Sequence, residues 1–387
     1  MNNEWRYVPL GEAVDVLDTL RKPINSKERA ARIEGKAPSE LYPYYGATGQ
    51  VGFIDDYITD GEYVLLGEDG APFLNTFAKK AYIISGKSWV NNHAHVLRSK
   101  GSNKFLCYYL NYFNYKGYVS GTTRLKLTQA QMKMIPVPVP SIEEQQHIVA
   151  RIEELFSELD NGVETLRKTK QQLAVYRQAV YASVYGTDDL RPITDFFDIS
   201  GGLTKNSKRY ELPIKMPYLR VANVYYNELD LSEIKYIGVT ENEVERTLLR
   251  KDDLLFVEGN GSKEQIGRVA IWDGSIENCL HQNHLIKGRP VEGMLPQFAL
   301  YYLISRYGRK QILDVASSTS GLYTLSTNKV RNLKIPYADM EQQKKCIETI
   351  EARISVCDSI EKTVDTALRQ AEAMRQSILK QAFEGRL

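Results

Sequence analysis

The chain has 387 residues, 43% hydrophobic and 25% charged, with a formal net charge of +2. That length exceeds one ordinary core and suits two domains of globular composition. No stretch approaches the ~18–20 apolar residues a membrane helix needs, the opening residues 1–6 lack an apolar secretion segment, and Cys107, Cys279, Cys346 and Cys357 show no paired spacing, so a reduced, cytoplasmic setting is expected.

Taken in chain order, residues 44–53 carry the glycine and aromatic punctuation of strands and turns, and residues 63–67 read as a buried strand. From Arg98 to Lys126 there are six basic residues, seven aromatics and no acid. Positive charge is thus local, which suits a nucleic-acid face, although solvated charged surface gives the same signal. Residues 105–113 form a short amphipathic helix. Pro136, Pro138 and Pro140 forbid helix before Ser141, a suitable N-cap with Glu144 three residues on to complete a capping box. Beyond it Ile148, Ile152, Leu155, Leu159, Leu166, Leu173, Tyr176 and Val180 fall on alternating steps of three and four, with Gly162 and Thr169 as weak positions. That spacing predicts a coiled-coil seam on a helix about 65 Å long at ~1.5 Å per residue. Residues 254–257 read as a buried strand and 298–307 as a helix. Residues 287–334 hold eight basic residues against Glu292 and Asp314. Pro336 and Asp339 mark the start of a second long helix, whose seam runs Cys357, Ile360, Val364, Ala367, Ala371, Met374 and Ile378.

The chain is written twice. Val8-Pro9-Leu10 and Val14-Asp15 are echoed by Arg191-Pro192-Ile193 and Phe197-Asp198. His95-Val96-Leu97-Arg98 matches His284-Leu285-Ile286-Lys287 in pattern. Phe105, Tyr108, Tyr109 and Leu110 recur as Phe298, Tyr301, Tyr302 and Leu303, and Ser120-Gly121 as Ser320-Gly321. Leu127 through Gly186 then lies over Leu325 through Glu384 without a gap. The differing stretches are roughly 20–90 and 200–280. A shared frame with two unlike front ends implies two related tasks on two targets. The two long helices either pair with each other, antiparallel, or make separate coiled coils with other chains; mutual pairing is the simpler use of two equivalent seams. The expected architecture is α+β: a first domain over 1–140, its helix over 141–186, a second domain over 187–338 and its helix over 339–387.

Catalytic signals are absent from the sequence. Gly259-Asn260-Gly261-Ser262-Lys263 lacks the spacing of a phosphate loop. No Pro-Pro pair exists for an adenine-methyltransferase grip. Asp252-Asp253 and Glu258 lead to no metal-binding Glu-x-Lys and read as strand-edge acids without a role. His93 with His95, and His281 with His284, have no third metal ligand nearby, and the repeated pair His95 and His284 suggests a framework role.

The residues Ser120-Gly121-Thr122-Thr123, Ile135-Pro136-Val137-Pro138, Glu143-Glu144-Gln145 and Arg177-Gln178 resemble the pattern of the specificity subunit of type I restriction–modification systems. So do Ser320-Gly321, Ile335-Pro336, Glu341-Gln342-Gln343, Arg375-Gln376 and the closing 382–387. The resemblance covers the whole chain, with one departure at Tyr337-Ala338-Asp339, where the proline-rich tail is missing. It implies two target-recognition domains, each reading half of a bipartite, asymmetric double-stranded DNA site, and no catalysis in this chain. It further implies modification subunits, two of them, that use S-adenosylmethionine to methylate adenine, and restriction subunits that use ATP and Mg to translocate and cleave. An antiparallel helix pair could set two such domains about one helical turn (~34–36 Å) apart along a duplex. The alternatives are a coiled-coil scaffold with two protein-binding heads and a stand-alone nucleic-acid enzyme.

Side-chain chemistry selects candidate DNA-reading residues, since Arg and Lys suit guanine, Asn and Gln suit adenine, and hydroxyls suit phosphate. In the first domain they are Tyr45, Thr48, Gln50, Asn91, Asn92, His93, Thr123, Arg124 and Lys126. In the second they are Lys205, Lys208, Arg220, Asn223, Asn260, Ser262, Lys263, Gln282, Asn283 and Tyr323. Turn geometry is the competing explanation for each Asn, and core packing for Tyr45.

Overall fold

A computed structural model describes residues 5–183, 185, 189–319 and 321–387. Gly186 and Ser320, which take part in the sequence repeat, lie outside the described residues. The chain divides into two compact units, Met1–Arg167 with Val364–Leu387, and Lys168–Thr363.

Each unit holds an α+β domain of the same plan. In the first, a sheet ordered Val14–Val16, Ala94–Ser99, Tyr63–Gly67, Ala81–Ile84 is antiparallel throughout. A second sheet sets Tyr42–Gly46 between Gly49–Ile54 and Lys87–Val90, the last pairing parallel. The second domain repeats both: Phe197–Gly201, Leu285–Pro290, Leu254–Val257, Val269–Ile271 form the antiparallel sheet, and Ile214–Leu219 lies between Lys235–Val239 and a parallel partner, Leu280–His281. Residues 63–67 and 254–257 are buried on both faces, as continuous apolar runs require.

Two long helices, Ile142–Ser183 and Met340–Phe383, complete the α+β tandem repeat. Their starts follow from cap chemistry. The Glu144 N–H donates to Ser141 Oγ at 3.2 Å, and the Glu144 carboxylate accepts from the Trp5 indole. Asp339 and Gln342 cap reciprocally at 2.8 and 3.3 Å. Each helix belongs to both units. Within the second unit, Lys170 meets Glu361 and Arg177 meets Asp358, so the helices run antiparallel. Within the first, Ile148 and Ile152 share a core with Leu379 and Phe383, while Asp160 pairs with Arg375, again antiparallel.

The seam is narrower than the spacing predicts. Ile152, Leu173 and Val180, and Ile350, Cys357, Val364 and Ala371, are buried at steps of seven or multiples of it. Tyr176, Ile360 and Met374 instead face solvent, at 49%, 40% and 55% exposure. Next to Tyr176 and Met374, the residues turned inward are Arg177 and Arg375, whose stems cover the seam while their guanidinium groups reach Asp358 and Asp160. The interhelical contact is therefore apolar at one heptad position and ionic beside it.

The helices also finish the domain cores. In the first unit Phe383 sits against Phe105, Tyr109 and Tyr112, with ring centroids 5.2–5.5 Å apart. In the second, Tyr185 stands at the matching place, its ring against Phe298 and Tyr302 and its hydroxyl donating to the Phe298 carbonyl. One glutamine pins each domain to its own helix. Gln145 Oε1 accepts from Ser102 N and its Nε2 donates to the Pro140 carbonyl. Gln343 repeats this with Leu295 N and Ala338 O, and adds Gly293 O.

Candidate nucleic-acid interface

Four loops of the first domain are tied into one surface by backbone hydrogen bonds. Glu68 N donates to His93 O at 2.8 Å, Leu127 N to Glu68 O at 2.7 Å, Gly70 N to Leu125 O at 2.9 Å, and Asn91 N to Tyr45 O at 3.0 Å. The turn at 47–49, the loop at 68–70, the loop at 91–93 and the loop at 121–126 thus share an edge. Glycine shapes it at Gly121, where φ is +96° and a Cβ would collide with the Arg124 carbonyl.

Basic side chains stand on an acidic floor. Arg124 and Lys126, 60% and 51% exposed, reach down to Asp69 at 2.7 Å and Glu68 at 3.4 Å. Burial pushes the Glu68 carboxyl up, but Arg21 at 2.5 Å, His95 and Lys126 outweigh it and hold it below its ordinary value. His95 is wholly buried between Asp18 Oδ2 at 2.8 Å and the Leu127 carbonyl at 3.0 Å, which anchors the floor to the strand beneath.

The second domain builds the same edge from partly different side chains. Glu258 N donates to His284 O at 2.9 Å, Leu325 N to Glu258 O at 2.7 Å, and Gln282 N to Leu219 O at 3.0 Å. Asn260 pairs with Tyr323 in a short antiparallel ladder. The strand registers make Asn91-Asn92-His93 equivalent to Gln282-Asn283-His284. This corrects the repeat: His284 corresponds to His93, and His95 to Ile286, so His95 is framework while His284 is exposed and faces Glu258 at 3.1 Å.

The candidate residues separate into three groups. Thr48, Gln50, Asn92, Thr123, Arg124, Lys126, Lys205, Lys208 and Lys263 are exposed, and His93, Asn260, Ser262, Gln282, Asn283 and Tyr323 half-buried, around these loops or close beside them. Tyr45 is half-buried too, its ring 5.9 Å from Tyr82. Asn91 and Asn223 are buried, and their amides serve turns: Asn91 Oδ1 accepts from His93 N, while Asn223 accepts from Arg220 N and donates to Asp230 O. Arg220 is turned onto Glu233 at 3.0 Å. Asn91, Asn223 and Arg220 are therefore withdrawn from the reading surface.

Residues the sequence reading passed over include Arg21, Glu68 and Asp69, and His284, read there as framework, instead stands exposed at the edge. The recurrence of a glutamate directly after each buried strand, Glu68 after Tyr63–Gly67 and Glu258 after Leu254–Val257, was the available signal. The strand-edge acids do have roles: Glu258 holds His284, and buried Asp253 binds Arg289 at 2.8 Å and caps Arg250 N. His281 is buried with Nδ1 on the Thr247 carbonyl, apart from exposed His284. Among the described residues no helix is long and apolar enough to cross a membrane.

Two conformationally matched loop edges of differing side chains, each offering amides, hydroxyls and cations, can read polar ligand edges without making or breaking bonds. Comparison with known proteins points the same way. A family model for the type I restriction modification DNA specificity domain matches residues 2–173 and again 189–370. A protein of Haemophilus influenzae described as a type I restriction enzyme specificity subunit is 26% identical over 384 residues, 95% of this chain and 92% of that one. The EcoKI specificity subunit of Escherichia coli is 26% identical over 285 residues, 69% of this chain but 61% of its own length. A chain solved in a study of complex assembly and conformational transition of the type I restriction–modification system superposes with a TM-score of 0.71 at 16% identity, covering 100% of this chain and 99% of that one.

Proposed function

The chain belongs to the type I restriction–modification DNA specificity family, and from that membership we propose that it reads a bipartite, asymmetric DNA target for partner subunits that do the chemistry. The observation that carries this reading is the loop edge built twice on one hydrogen-bond frame: Asn92-His93 recurs as Asn283-His284, while exposed Arg124 and Lys126 give way to Leu322 and Thr324, and buried Asn91 to half-buried Gln282. Each edge reads one half-site, with amides facing base edges and cations facing phosphates. The two half-sites differ because the side chains differ.

The partners are modification subunits, which would bring S-adenosylmethionine and methylate adenine, and restriction subunits, which would bring ATP and Mg, all in the cytoplasm. A repeated surface suits two identical modification subunits. In the first unit a groove is lined by Phe156, Asp160, Arg375 and Gln376; in the second, Ile354, Asp358, Arg177 and Gln178 stand in the same positions. A feature that is kept while the front ends diverge serves a ligand common to both halves.

The test is a methylome. Co-expressed with modification subunits, the chain should direct methylation to a split sequence, and exchanging residues 1–140 for those of another specificity subunit should change one half-site alone. Arg124→Ala should cost about 1–3 kcal/mol of discrimination in that half-site if Arg124 reads a base, or weaken binding uniformly if it grips a phosphate. An exchange that leaves both half-sites as they were would sink the reading.

A further inference from the structure

We propose that the second domain carries a backbone-gripping cavity, apart from its base-facing loops, which holds the phosphates of a DNA strand running past the second half-site. This rests on the reading of the chain as a DNA-specificity subunit.

A concavity of about 390 Å³ is lined by Lys205, Arg209, Tyr210, Lys215, Lys235 and Tyr236, and no carboxylate among the described residues lines it. Tyr210 and Tyr236 stand 74% and 68% exposed, a large apolar exposure that nothing else in the domain covers. The cavity is built rather than incidental. The turn Ser207–Tyr210 lies directly on the strand Lys235–Val239 because residue 238 is glycine; a Cβ there would collide with the Arg209 carbonyl. Arg209 braces the turn, with Nε donating to Thr204 O at 2.6 Å, Nη1 to Gly238 O at 3.0 Å, and the guanidinium on Glu243 at 2.7 Å. Lys215 Nζ donates to the carbonyls of Arg209 and Tyr210. These two position the walls.

The rim cations are different. Lys205 is exposed with no partner among the described residues, and Lys235 has only the exposed Glu233 at 3.3 Å. They are available to an anion. The cavity also continues from the reading edge: Asn283 N of the Gln282-Asn283 loop donates to Leu203 O at 2.9 Å, and Lys205 lies two residues along the chain from Leu203. A DNA strand delivers one phosphate every ~3.4 Å of helix axis, and a strand leaving that loop meets two lysines with tyrosine rings and hydroxyls beside them. Among the described residues the first domain shows no counterpart. There Arg29 lies on the Tyr44 ring, and Arg32 and Lys36 are bound to Asp55 at 2.6 and 3.0 Å. The grip is one-sided.

The experiment uses the full chain, its K205Q/K235Q variant, and duplexes carrying the methylome-defined target with long or trimmed flanks beyond the second half-site. Both substitutions lie on exposed side chains and leave the braces intact. The variant should bind every long duplex more weakly, with the slope of log K against log salt reduced by about 1.8, the value for two lost phosphate contacts. Its preference for target over non-target should stay within twofold, and on trimmed duplexes wild type and variant should bind alike. An unchanged slope, or an altered base preference, overturns the proposal. So does weakened assembly with protein partners at unchanged slope, which would assign the cavity to an acidic protein surface. Wild-type chain that shows no target preference at all would instead remove the DNA-specificity reading beneath it.

Discussion

His281 is wholly buried, its Nδ1 bound to the Thr247 carbonyl at 2.9 Å and its Nε2 without a partner among the described residues. Burial, reinforced by the positive charge of Lys287, pushes its pKa down to about 3. A folded-state pKa below the unfolded value of ~6.5 means the unfolded chain binds the proton first, so stability falls as pH drops through that window, at about 1.4 kcal/mol per unit. His281→Asn keeps a donor for Thr247 and removes the titration. Denaturant midpoints measured from pH 7 to pH 4.5 should fall more steeply for wild type than for the variant, and parallel curves would refute this. At this scale the sequence was only half legible. Asn marks turns by its chemistry, which made turn geometry the competing explanation for every Asn among the candidates. The same chemistry could not separate Asn91 and Asn223, whose amides hold the turn, from exposed Asn92 and half-buried Asn283, because that depends on which way the chain re-enters the sheet.

The long helices were legible because their determinants are local: prolines that exclude helix, a capping side chain, an apolar period. The seam slipped at Tyr176 and Met374 because the pattern counts apolar residues, whereas the structure uses the stems of Arg177 and Arg375 with carboxylates on the opposing helix. The parallel pairing of Tyr42–Gly46 with Lys87–Val90 joins segments more than 40 residues apart, and nothing local announces it. The cavity beside Lys205 escaped for the same reason, being assembled from a turn and two strands. The glutamine anchors belong to this scale too. Replacing Gln343 by Leu leaves Leu295 N and two carbonyls without their amide partner, so it should lower unfolding stability by about 2–4 kcal/mol. Gln343→Glu keeps the acceptor for Leu295 N but sets a buried carboxylate oxygen against the Gly293 and Ala338 carbonyls, so it should lose at least as much; near-wild-type stability of the glutamate variant in calorimetry would show that shape, not hydrogen bonding, is what Gln343 supplies.

The duplication was legible because both copies keep the same rear, apart from the register at His284, but it could not show that each helix ends in the core of the other copy's domain. Phe383, 4% exposed, closes the core around Phe105 and Tyr109. Phe383→Ala should cost about 3–5 kcal/mol, and the cost should be local: hydrogen exchange should quicken in the helix Asn103–Tyr112, in the front of the chain, and stay unchanged in Pro296–Ile304. Loss of protection in the second domain instead would contradict the assignment of residue 383 to the first unit.

That placement sets an order of events during synthesis. Residues 168–363 form one uninterrupted compact unit, so its parts leave the ribosome together and can close as soon as they are out. The domain over 1–140 is translated before the second yet lacks Leu379, Ala382 and Phe383 until residues 379–383 have been made. The earliest-made half is thus the last to seal, and it waits through most of translation with an apolar cleft open to whatever chaperone or neighbour reaches it.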